Sequence, residues 1–282
     1  MSEWLVGGAR AAFDRRGDEG GPGATSVKVC VLGSGSGGNC TLVATEQTCI
    51  LVDAGFSFRE IRQRLRQAGE DFARVDAVLI THEHSDHVSG LPMLARKFRR
   101  PIYLTPLTEA RLDWGEARPV VERFQAGQRI SIGDFEIDPF TIPHDAVDPV
   151  AFCFHAEGLK LGVVTDLGYM PASVKHHISG CHLLVLESNH DLDMLKVGPY
   201  PWFVKQRVMS RVGHLSNHAV AEYLSAEYDG HSEILVLAHL SEQNNHPAIA
   251  RMTAAEALRD AGAGGTRLVL AEQHRPTEVF QF

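Results

Sequence analysis

Short apolar runs, many of them rich in Val, Ile and Leu, recur along the chain from residue 27 onward. Continuous or alternating runs of this length, separated by turn residues, are typical of β-strands. The pattern predicts strands at 27–33, 40–45, 48–53, 76–81, 101–104, 128–132, 135–141, 150–155, 159–165, 181–187, 232–238 and 266–270. The strands come first in pairs and then alternate with helices, in two halves of similar length.

Several stretches between these strands have helical periodicity. In SFREIRQRLRQAG, Phe58, Ile61, Leu65 and Ala68 fall on one face, and Ser57 is placed to cap the first turn. Helices are also predicted at 88–99, 201–211, 217–228 and 247–261. This order of elements fits an α/β fold in which two packed sheets are covered on the outside by helices.

The 282 residues, with 44% apolar and 22% charged positions, are ordinary for a globular protein with a sizeable core. Residues 1–26 end in RRGDEGGPGATS and are predicted to be a flexible extension, leaving 27–282 as one domain. No secretion signal and no apolar run of about 18 residues is evident, so no membrane partner is expected. The five cysteines lack a CxxC pair and are predicted to be buried free thiols in a reducing cytoplasm.

The net charge of −8 argues against a protein that coats nucleic acid by bulk charge. It leaves room for a local basic groove. Two clusters are candidates, although a solvated helix face is the more ordinary explanation of each. One comprises Arg96, Lys97, Arg99 and Arg100, and the other comprises Lys205, Arg207 and Arg211.

The most informative stretch is LITHEHSDHVSG at 79–90, where a predicted strand ends in a group of histidines and acids. His82 and His84 can project from a tight turn toward one centre, while Asp86 and His87 turn toward a second. Neutral imidazoles and carboxylates are the ligands that Zn²⁺, Mn²⁺ and Fe²⁺ accept. The H-x-H-x-D-H spacing therefore predicts a divalent metal site.

Further residues of the same chemical types follow other apolar runs. His144 comes after FEIDPFTIP, Asp166 after LKLGVVT and His239 after SEILVLA, while Asp53 follows CILV. Each alone is explained as a hydrogen-bonded loop residue. Their recurrence at strand ends, where α/β proteins place their chemistry, predicts that they complete the metal site.

In this set of residues the chain resembles the metallo-β-lactamase-fold superfamily, from about residue 27 to its end. The resemblance implies an αββα sandwich with a dinuclear site at the sheet edge, holding two divalent ions, either zinc or manganese. It implies one ion on His82, His84 and His144, and the other on Asp86, His87 and His239. Asp166 would bridge the two ions, and Asp53 would brace the loop from behind the ligands.

Three other stretches bear on the reaction. The loop GSGSGGNCT can turn backbone N–H groups toward a phosphate, which makes Ser34, Ser36 and Asn39 candidate substrate contacts, although a glycine-rich hairpin is the commoner explanation of such a loop. LLVLESNHD ends a strand at Glu187, and GHLSNHA places His214 just before a helix capped by Ser216. These two segments resemble those of tRNA 3′-processing endonucleases of this fold, in which a Glu–His pair assists departure of the leaving oxygen. Asn217 and Ser241 are further candidate substrate contacts.

The combination of GSGSGGNCT, GHLSN and LVLAHLSEQNN resembles the YycJ-like (WalJ-like) branch, whose members are regarded as 5′→3′ exonucleases acting on DNA. The resemblance implies a DNA substrate, with Asp86, Glu187 and His214 as catalytic residues. Three alternatives stay open: a thioesterase or lactonase, a PhnP-like cyclic phosphodiesterase, and a metal-binding scaffold without activity. Oligomeric state also stays open, with a homo-oligomer compatible with the sequence.

Overall fold

The computed structural model describes residues 26–282, and these form two facing β-sheets with helices on both outer faces. The predicted flexible extension at residues 1–26 lies, except for Ser26, outside the described residues. Whether 27–282 acts as one independent domain stays a prediction.

The first sheet contains the strands of the N-terminal half together with the last strand of the chain. Its order is β14-β1-β2-β3-β4-β5-β6. Pairing is antiparallel from β14 through β3 and parallel from β3 through β6. The strands are β1 (Lys28–Gly33), β2 (Cys40–Ala44), β3 (Cys49–Val52), β4 (Ala77–Leu79), β5 (Pro101–Leu104), β6 (Val120–Arg123) and β14 (Phe280–Gln281).

The second sheet repeats this plan with the strands of the C-terminal half, in the order β13-β12-β11-β10-β9-β8-β7. Pairing is antiparallel from β7 through β10 and parallel from β10 through β13. The strands are β7 (Ile130–Ile132), β8 (Phe135–Thr141), β9 (Val150–Ala156), β10 (Leu159–Val164), β11 (Leu183–Glu187), β12 (Ile234–Ala238) and β13 (Arg267–Leu270).

The helices pack on the outer faces or connect the strands. A short 3₁₀ turn covers Phe72–Arg74. The α-helices are α1 (Phe58–Gln67), α2 (Ser85–Val88), α3 (Leu91–Lys97), α4 (Pro106–Glu109), α5 (Ala172–Ile178), α6 (Leu192–Val197), α7 (Trp202–Val208), α8 (Asn217–Ala226) and α9 (Pro247–Asp260).

The four layers follow from alternation within each strand. In β1, Val29 and Val31 enter the apolar core between the sheets, while Cys30 and Leu32 point the other way, into the core beneath α1 and α3. A third core lies between the second sheet and the helices α5, α8 and α9. The predicted αββα sandwich is confirmed.

The predicted strands are all present, with bounds that differ by up to two residues. The sequence missed β6, whose side chains are largely exposed and show no apolar alternation, and β14, which has only two residues. The helix predicted at 88–99 is wrong in its bounds: α2 begins earlier, at Ser85, and Ser89 and Gly90 separate it from α3. The predicted caps Ser57 and Ser216 both accept a hydrogen bond from the first turn of their helices.

All five cysteines are buried free thiols, as predicted. Burial raises the pKa of Cys30 to about 11 and that of Cys49 to about 12, so both are held as neutral thiols. Of the helices between residues 26 and 282, none has the length and apolarity that crossing a bilayer requires.

Candidate metal centre

The candidate ligands meet because strand ends of both sheets come together at one edge. Asp53 follows β3, His82 follows β4, Asp166 follows β10 and His239 follows β12, each one to three residues beyond the last strand residue. His144 reaches the same place from the end of β8. Residues that are far apart in the chain are thus brought within contact distance.

Three of these residues have a backbone conformation that side chains seldom adopt. Asp53, Asp166 and His239 have φ angles of 64°, 63° and 56°. Only one other non-glycine residue of the described chain, Glu157 in a hairpin turn, has a positive φ. Such angles cost free energy and persist where the surroundings fix them, commonly at functional sites. The turn at each strand end directs a polar side chain into the centre.

The first group of candidate ligands consists of three histidines. His82, His84 and His144 offer ring nitrogens that all lie within 4.8 Å of one another. The Nε2 of His144 is 3.1 Å from the Nδ1 of His84. This is the grouping that the H-x-H motif and His144 were predicted to make.

The second group combines histidines and carboxylates, and Asp166 lies between the two groups. Asp86, His87, Asp166 and His239 also have ligand atoms within 4.8 Å of one another. One oxygen of Asp166 is 3.3 Å from the Nε2 of His87, and the other is 3.9 Å from the Nε2 of His144. A carboxylate with one oxygen toward each group has the placement that a bridging ligand requires.

Hydrogen bonds behind the rings fix which nitrogen faces the centre. The Nδ1 of His87 contacts Asp53 at 2.7 Å, that of His239 contacts Glu187 at 2.8 Å, and that of His144 contacts the Gly213 carbonyl at 3.1 Å. Because these oxygens only accept, each Nδ1 must donate, which leaves the Nε2 lone pair free. A neutral imidazole with a free lone pair is the form that binds a metal ion.

His82 and His84 complete this pattern with one difference. The Nδ1 of His82 lies 2.9 Å from the hydroxyl of Thr81, which itself contacts the Asp53 carboxylate at 2.9 Å. The Nε2 of His82 then remains for a ligand. His84 instead faces His144 with its Nδ1 and has its Nε2 3.8 Å from Asp145.

Charge is distributed unevenly between the two groups. Burial lowers the pKa of His82 and His144, which keeps both rings neutral. Burial acts the same way on His87 and His239, but the carboxylates around each ring, Asp166 foremost, together outweigh it and raise the pKa of both. The carboxylate-rich side therefore draws positive charge into the centre, and a divalent cation can supply it in place of protons.

The buried atoms of the centre test whether a metal fits. The Nε2 of His82 and the Oδ2 of Asp166 are buried and have no hydrogen-bond partner among residues 26–282. Buried polar atoms without a partner are costly and call for an explanation. A mixed set of imidazole nitrogens and carboxylate oxygens is the donor set of divalent zinc and manganese, so the residues fit the predicted metal ions.

Glu187 and His214 form a pair next to this centre. The Oε1 of Glu187 accepts from the Nδ1 of His214 at 2.8 Å, and its Oε2 accepts from the backbone N–H groups of Leu167 and Leu215. Burial opposes ionisation of Glu187, but His214 and a hydrogen bond from His239 lower its pKa to about 2. Burial likewise opposes charge on His214, yet Glu187 raises the pKa of this imidazole. The ring is 20% exposed, so its other nitrogen faces the solvent side.

The candidate substrate contacts in the glycine loop lie behind the centre. Asn39 donates to Asp86 Oδ2 at 3.3 Å and accepts from the hydroxyl of Ser34, which in turn accepts from the backbone N–H of His239. The backbone N–H groups at positions 34, 35, 37, 38 and 39 all bond within the protein, which favours the hairpin explanation over a phosphate cradle. Ser36 is exposed at the tip of the loop.

The remaining candidate contacts have similarly local partners. Ser216 caps α8, and Asn217 is buried with its amide bonded to Asn245 and to the hydroxyl of Ser188. The polar groups of these two side chains are therefore already occupied by partners within the protein. Ser241 and Ser34 line a cavity of about 300 Å³ next to His239.

Two residues at the centre were missed from the sequence. Thr81 links Asp53 to His82. Its position directly before the H-x-H motif could have indicated this role. Asp145 follows His144, lies 3.5 Å from its Nε2 and pairs with Arg207 of α7. Nothing in the sequence indicated that contact, because α7 is more than 50 positions away.

Comparison with known proteins identifies the family. A family model described as a beta-lactamase superfamily domain matches residues 48–240. The chain belongs to this superfamily. The superfamily has the metallo-β-lactamase fold, and a metal-dependent hydrolase of that fold is what the sequence predicted.

Two curated relatives of the superfamily are similar over most of their length. The exodeoxyribonuclease YycJ of Bacillus anthracis is 37% identical over 83% of this chain and 90% of its own. The exodeoxyribonuclease WalJ of Streptococcus pneumoniae is 34% identical over 84% of this chain and 90% of its own. The predicted resemblance to the YycJ-like branch of the superfamily is confirmed.

Solved structures of the superfamily share the fold at low sequence identity. YhfI of Bacillus subtilis, a metallo-β-lactamase fold protein, matches with a TM-score of 0.67 at 18% identity and covers 92% of this chain and 100% of its own. Zinc-bound PqqB of Methylobacterium extorquens matches with a TM-score of 0.64 at 17% identity, over 89% of this chain and 99% of its own. Both structures thus share the fold of this chain.

Proposed function

We propose that this chain is a metal-dependent phosphodiesterase, and specifically a 5′→3′ exonuclease that removes nucleotides from DNA. The relatives named as exodeoxyribonucleases, at 37% and 34% identity over most of the chain, support this hypothesis. The single observation that carries it is the Glu187–His214 pair, in contact with the candidate ligands and reaching solvent. In the hydrolysis of a thioester or lactone, this pair would have no chemical role.

We propose two metal positions, with zinc or manganese as the ions. His82, His84 and His144 would hold one ion, and Asp86, His87 and His239 the other, with Asp166 between them. When bound, two such ions lower the pKa of a water molecule toward neutrality and stabilise charge on phosphoryl oxygens. Asp53 acts behind the ligands by orienting His87 and Thr81.

The chain's own residues supply positioning and proton transfer. Asp86, which is 19% exposed, orients the attacking water toward phosphorus and takes its proton. A new bond forms between the water oxygen and phosphorus while the bond from phosphorus to the 3′-oxygen breaks. His214 donates a proton from its Nε2 to that departing oxygen, because Glu187 holds the opposite nitrogen.

The acid role of His214 predicts a selective loss of activity. His214→Ala should lower turnover on DNA by about 10²–10⁴-fold, the usual size of general acid assistance. A p-nitrophenyl phosphodiester should be spared, because p-nitrophenolate leaves without a proton. His218→Ala, which removes an exposed histidine of α8 paired only with Glu222, is the matched control.

The assay compares end-labelled DNA, the p-nitrophenyl phosphodiester and a thioester, each with Mn²⁺ or Zn²⁺. Release of mononucleotides from the 5′ end alone supports the exonuclease. Equal loss of both phosphodiester activities in His214→Ala contradicts the acid role, and turnover of only the thioester contradicts the proposed function.

A further inference from the structure

The segment that leads into His214 differs in charge from the rest of the chain. Residues 194–221 contain no Asp or Glu, although the whole chain has 35 acidic residues and a net charge of −8. The same stretch contains four cationic side chains, at Lys196, Lys205, Arg207 and Arg211. It comprises the end of α6, the whole of α7 and the start of α8. Lys196 pairs with Asp193 just before this stretch and Lys205 is buried, so its exposed positive charge comes mainly from Arg207 and Arg211.

Two large aromatic side chains are exposed on this segment. Trp202 is 62% exposed and Phe203 is 72% exposed, at the first turn of α7. Pro199 and Pro201 precede them, and their fixed φ angles hold the backbone that presents the two rings. Large aromatic residues are normally buried, and adjacent exposed ones indicate a surface that binds something.

The aromatic residues lie close to the candidate metal centre. Phe203 and Arg207 are four residues apart and so share one face of α7. Arg207 pairs with Asp145, whose Oδ1 is 3.5 Å from the Nε2 of His144. At the other end of the helix, the Val208 carbonyl accepts from the backbone N–H of His214 at 2.9 Å. Phe203 therefore lies about one helical turn, roughly 6 Å, from Arg207, and Arg207 contacts the centre through Asp145.

The cationic residues are not equivalent, and the structure refines the predicted basic cluster. Lys205 is buried and its ammonium donates to the Lys196 carbonyl at 2.7 Å. Arg207 and Arg211 are exposed, and the Arg211 guanidinium stacks 3.9 Å above the ring of Tyr169. Two arginines next to exposed aromatic rings offer both phosphate contacts and flat surfaces.

We propose that Trp202 and Phe203 form a stacking platform for the unpaired bases of single-stranded DNA, with Arg207 and Arg211 beside the phosphates. Unpaired bases expose their faces to aromatic side chains, whereas a duplex hides them. The exposed guanidinium groups of Arg207 and Arg211 complement the phosphate backbone, and a protein partner would not require them. That the bound strand is DNA rests on the proposed function. The platform holds this strand so that its terminal phosphodiester lies next to His214.

The test measures binding without cleavage. Oligothymidylate is titrated into the full-length chain in EDTA, and the fluorescence of Trp202 is followed with Trp202→Phe as the reference for the other tryptophans. The double variant Trp202→Leu with Phe203→Leu keeps apolar side chains but removes both rings, and we expect about tenfold or greater loss of affinity. Met252→Ala, which alters an equally exposed apolar residue of α9, should bind like the wild type.

Further arms separate the platform from other occupants. Blunt duplex DNA should bind more weakly, and its affinity should not change in the double leucine variant. Unchanged affinity for oligothymidylate in that variant overturns the platform. So does a shift of oligomeric state in light scattering without loss of DNA binding, since the surface would then join two copies of the chain.

The platform and the nuclease can fail separately. If oligothymidylate binds through the two rings but no nucleotide is released with Mn²⁺ or Zn²⁺, the platform stands and the nuclease does not. If DNA is degraded with the same KM by the wild type and the double leucine variant, the nuclease stands and the platform is refuted.

Discussion

Asp53 shows how single side chains behind the ligands control the centre. Its two oxygens accept from the Thr81 backbone N–H and from the Nδ1 of His87, and it also contacts the Thr81 hydroxyl. These bonds set the tautomer of His87 and, through Thr81, the orientation of His82. The carboxylate therefore acts on candidate metal ligands of both groups although it need not touch an ion.

Replacing Asp53 with Asn should weaken metal binding more than folding. Asparagine tolerates the positive φ at this position, so the backbone is not further strained. The amide presents a donor where His87 also donates, which favours the tautomer whose Nε2 carries a proton. We expect about a 10–100-fold loss of affinity for an ion at His87, measured by competition with a chromophoric chelator.

The matched control is Asp138→Asn, which removes a carboxylate paired with Arg129 and His155 on β8. It should leave metal affinity unchanged. Equal affinity of Asp53→Asn and the wild type would contradict the bracing role.

The left-handed turns explain part of what the sequence could and could not predict. Asp53, Asp166 and His239 were predictable because each is a ligand type placed directly after an apolar strand. Their positive φ angles were not predictable, because Asp and His adopt them only under the constraint of surrounding contacts. The same holds for Thr81, whose role depends on which side chains fold against it.

Among the short elements, α2 is held in place by a close backbone contact. The helix carries Asp86 and His87, and the Asp86 carbonyl accepts from the Asn39 N–H at 2.8 Å. At Gly55 an added Cβ would lie 1.8 Å from that carbonyl oxygen and 2.5 Å from the Asn39 nitrogen. Only glycine allows the chain to pass here without displacing the helix.

Gly55→Ala should therefore reduce both stability and metal binding. Overpacking against backbone that cannot yield costs about 1–3 kcal/mol or more, and relief requires α2 to move away with its two ligands. Urea unfolding and metal stoichiometry together measure this. Gly265→Ala, where an added Cβ meets nothing within 4 Å, should change the free energy of unfolding by less than about 0.5 kcal/mol.

Equal unfolding midpoints for the two glycine variants would show that α2 is not constrained in this way. The close contact itself was invisible in the sequence, which predicted a helix from residue 88. In a sequence, a glycine in a loop indicates only that its own backbone can adopt many conformations. Which other segment of backbone comes close to it depends on the packed structure.

In the molecule as a whole, Arg64 joins β1 to the loop between β13 and β14. Its Nη1 donates to the carbonyls of Leu32 and Gln273 at 2.8 and 2.9 Å, and its guanidinium lies 3.8 Å from the centre of the Phe56 ring. The side chain is buried on α1. The helical pattern predicted α1 correctly but assigned Arg64 no role, because arginine is usually exposed.

Arg64→Met should destabilise the fold by about 2–3 kcal/mol, because two buried carbonyls lose a charged donor. Thermal and urea unfolding provide the measurement. Arg59→Met, at an exposed position of the same helix, is the control and should be nearly neutral. Similar midpoints for both variants would contradict a linking role for Arg64.

The two-sheet architecture was predictable because apolar runs and ligand types recur in the same order in both halves. The position of α7 was not, since its contact with the centre depends on Arg207 meeting Asp145 across the fold. The substrate contacts were the least predictable part, because small polar residues such as Asn39 and Asn217 form internal hydrogen bonds as readily as they bind ligands.

The central claim is that ligands from both halves of the chain hold two cations. Crystals of the protein loaded with zinc or manganese, measured at the absorption edge of the metal, test this directly by locating anomalous scatterers. The account predicts two peaks about 3.5–4 Å apart, one among His82, His84 and His144 and the other among Asp86, His87 and His239, with Asp166 between them. A single peak among Asp166, Glu187, His214 and His239, the other cluster of ligand atoms within 4.8 Å, would contradict it, as would no peak at this edge of the sheets.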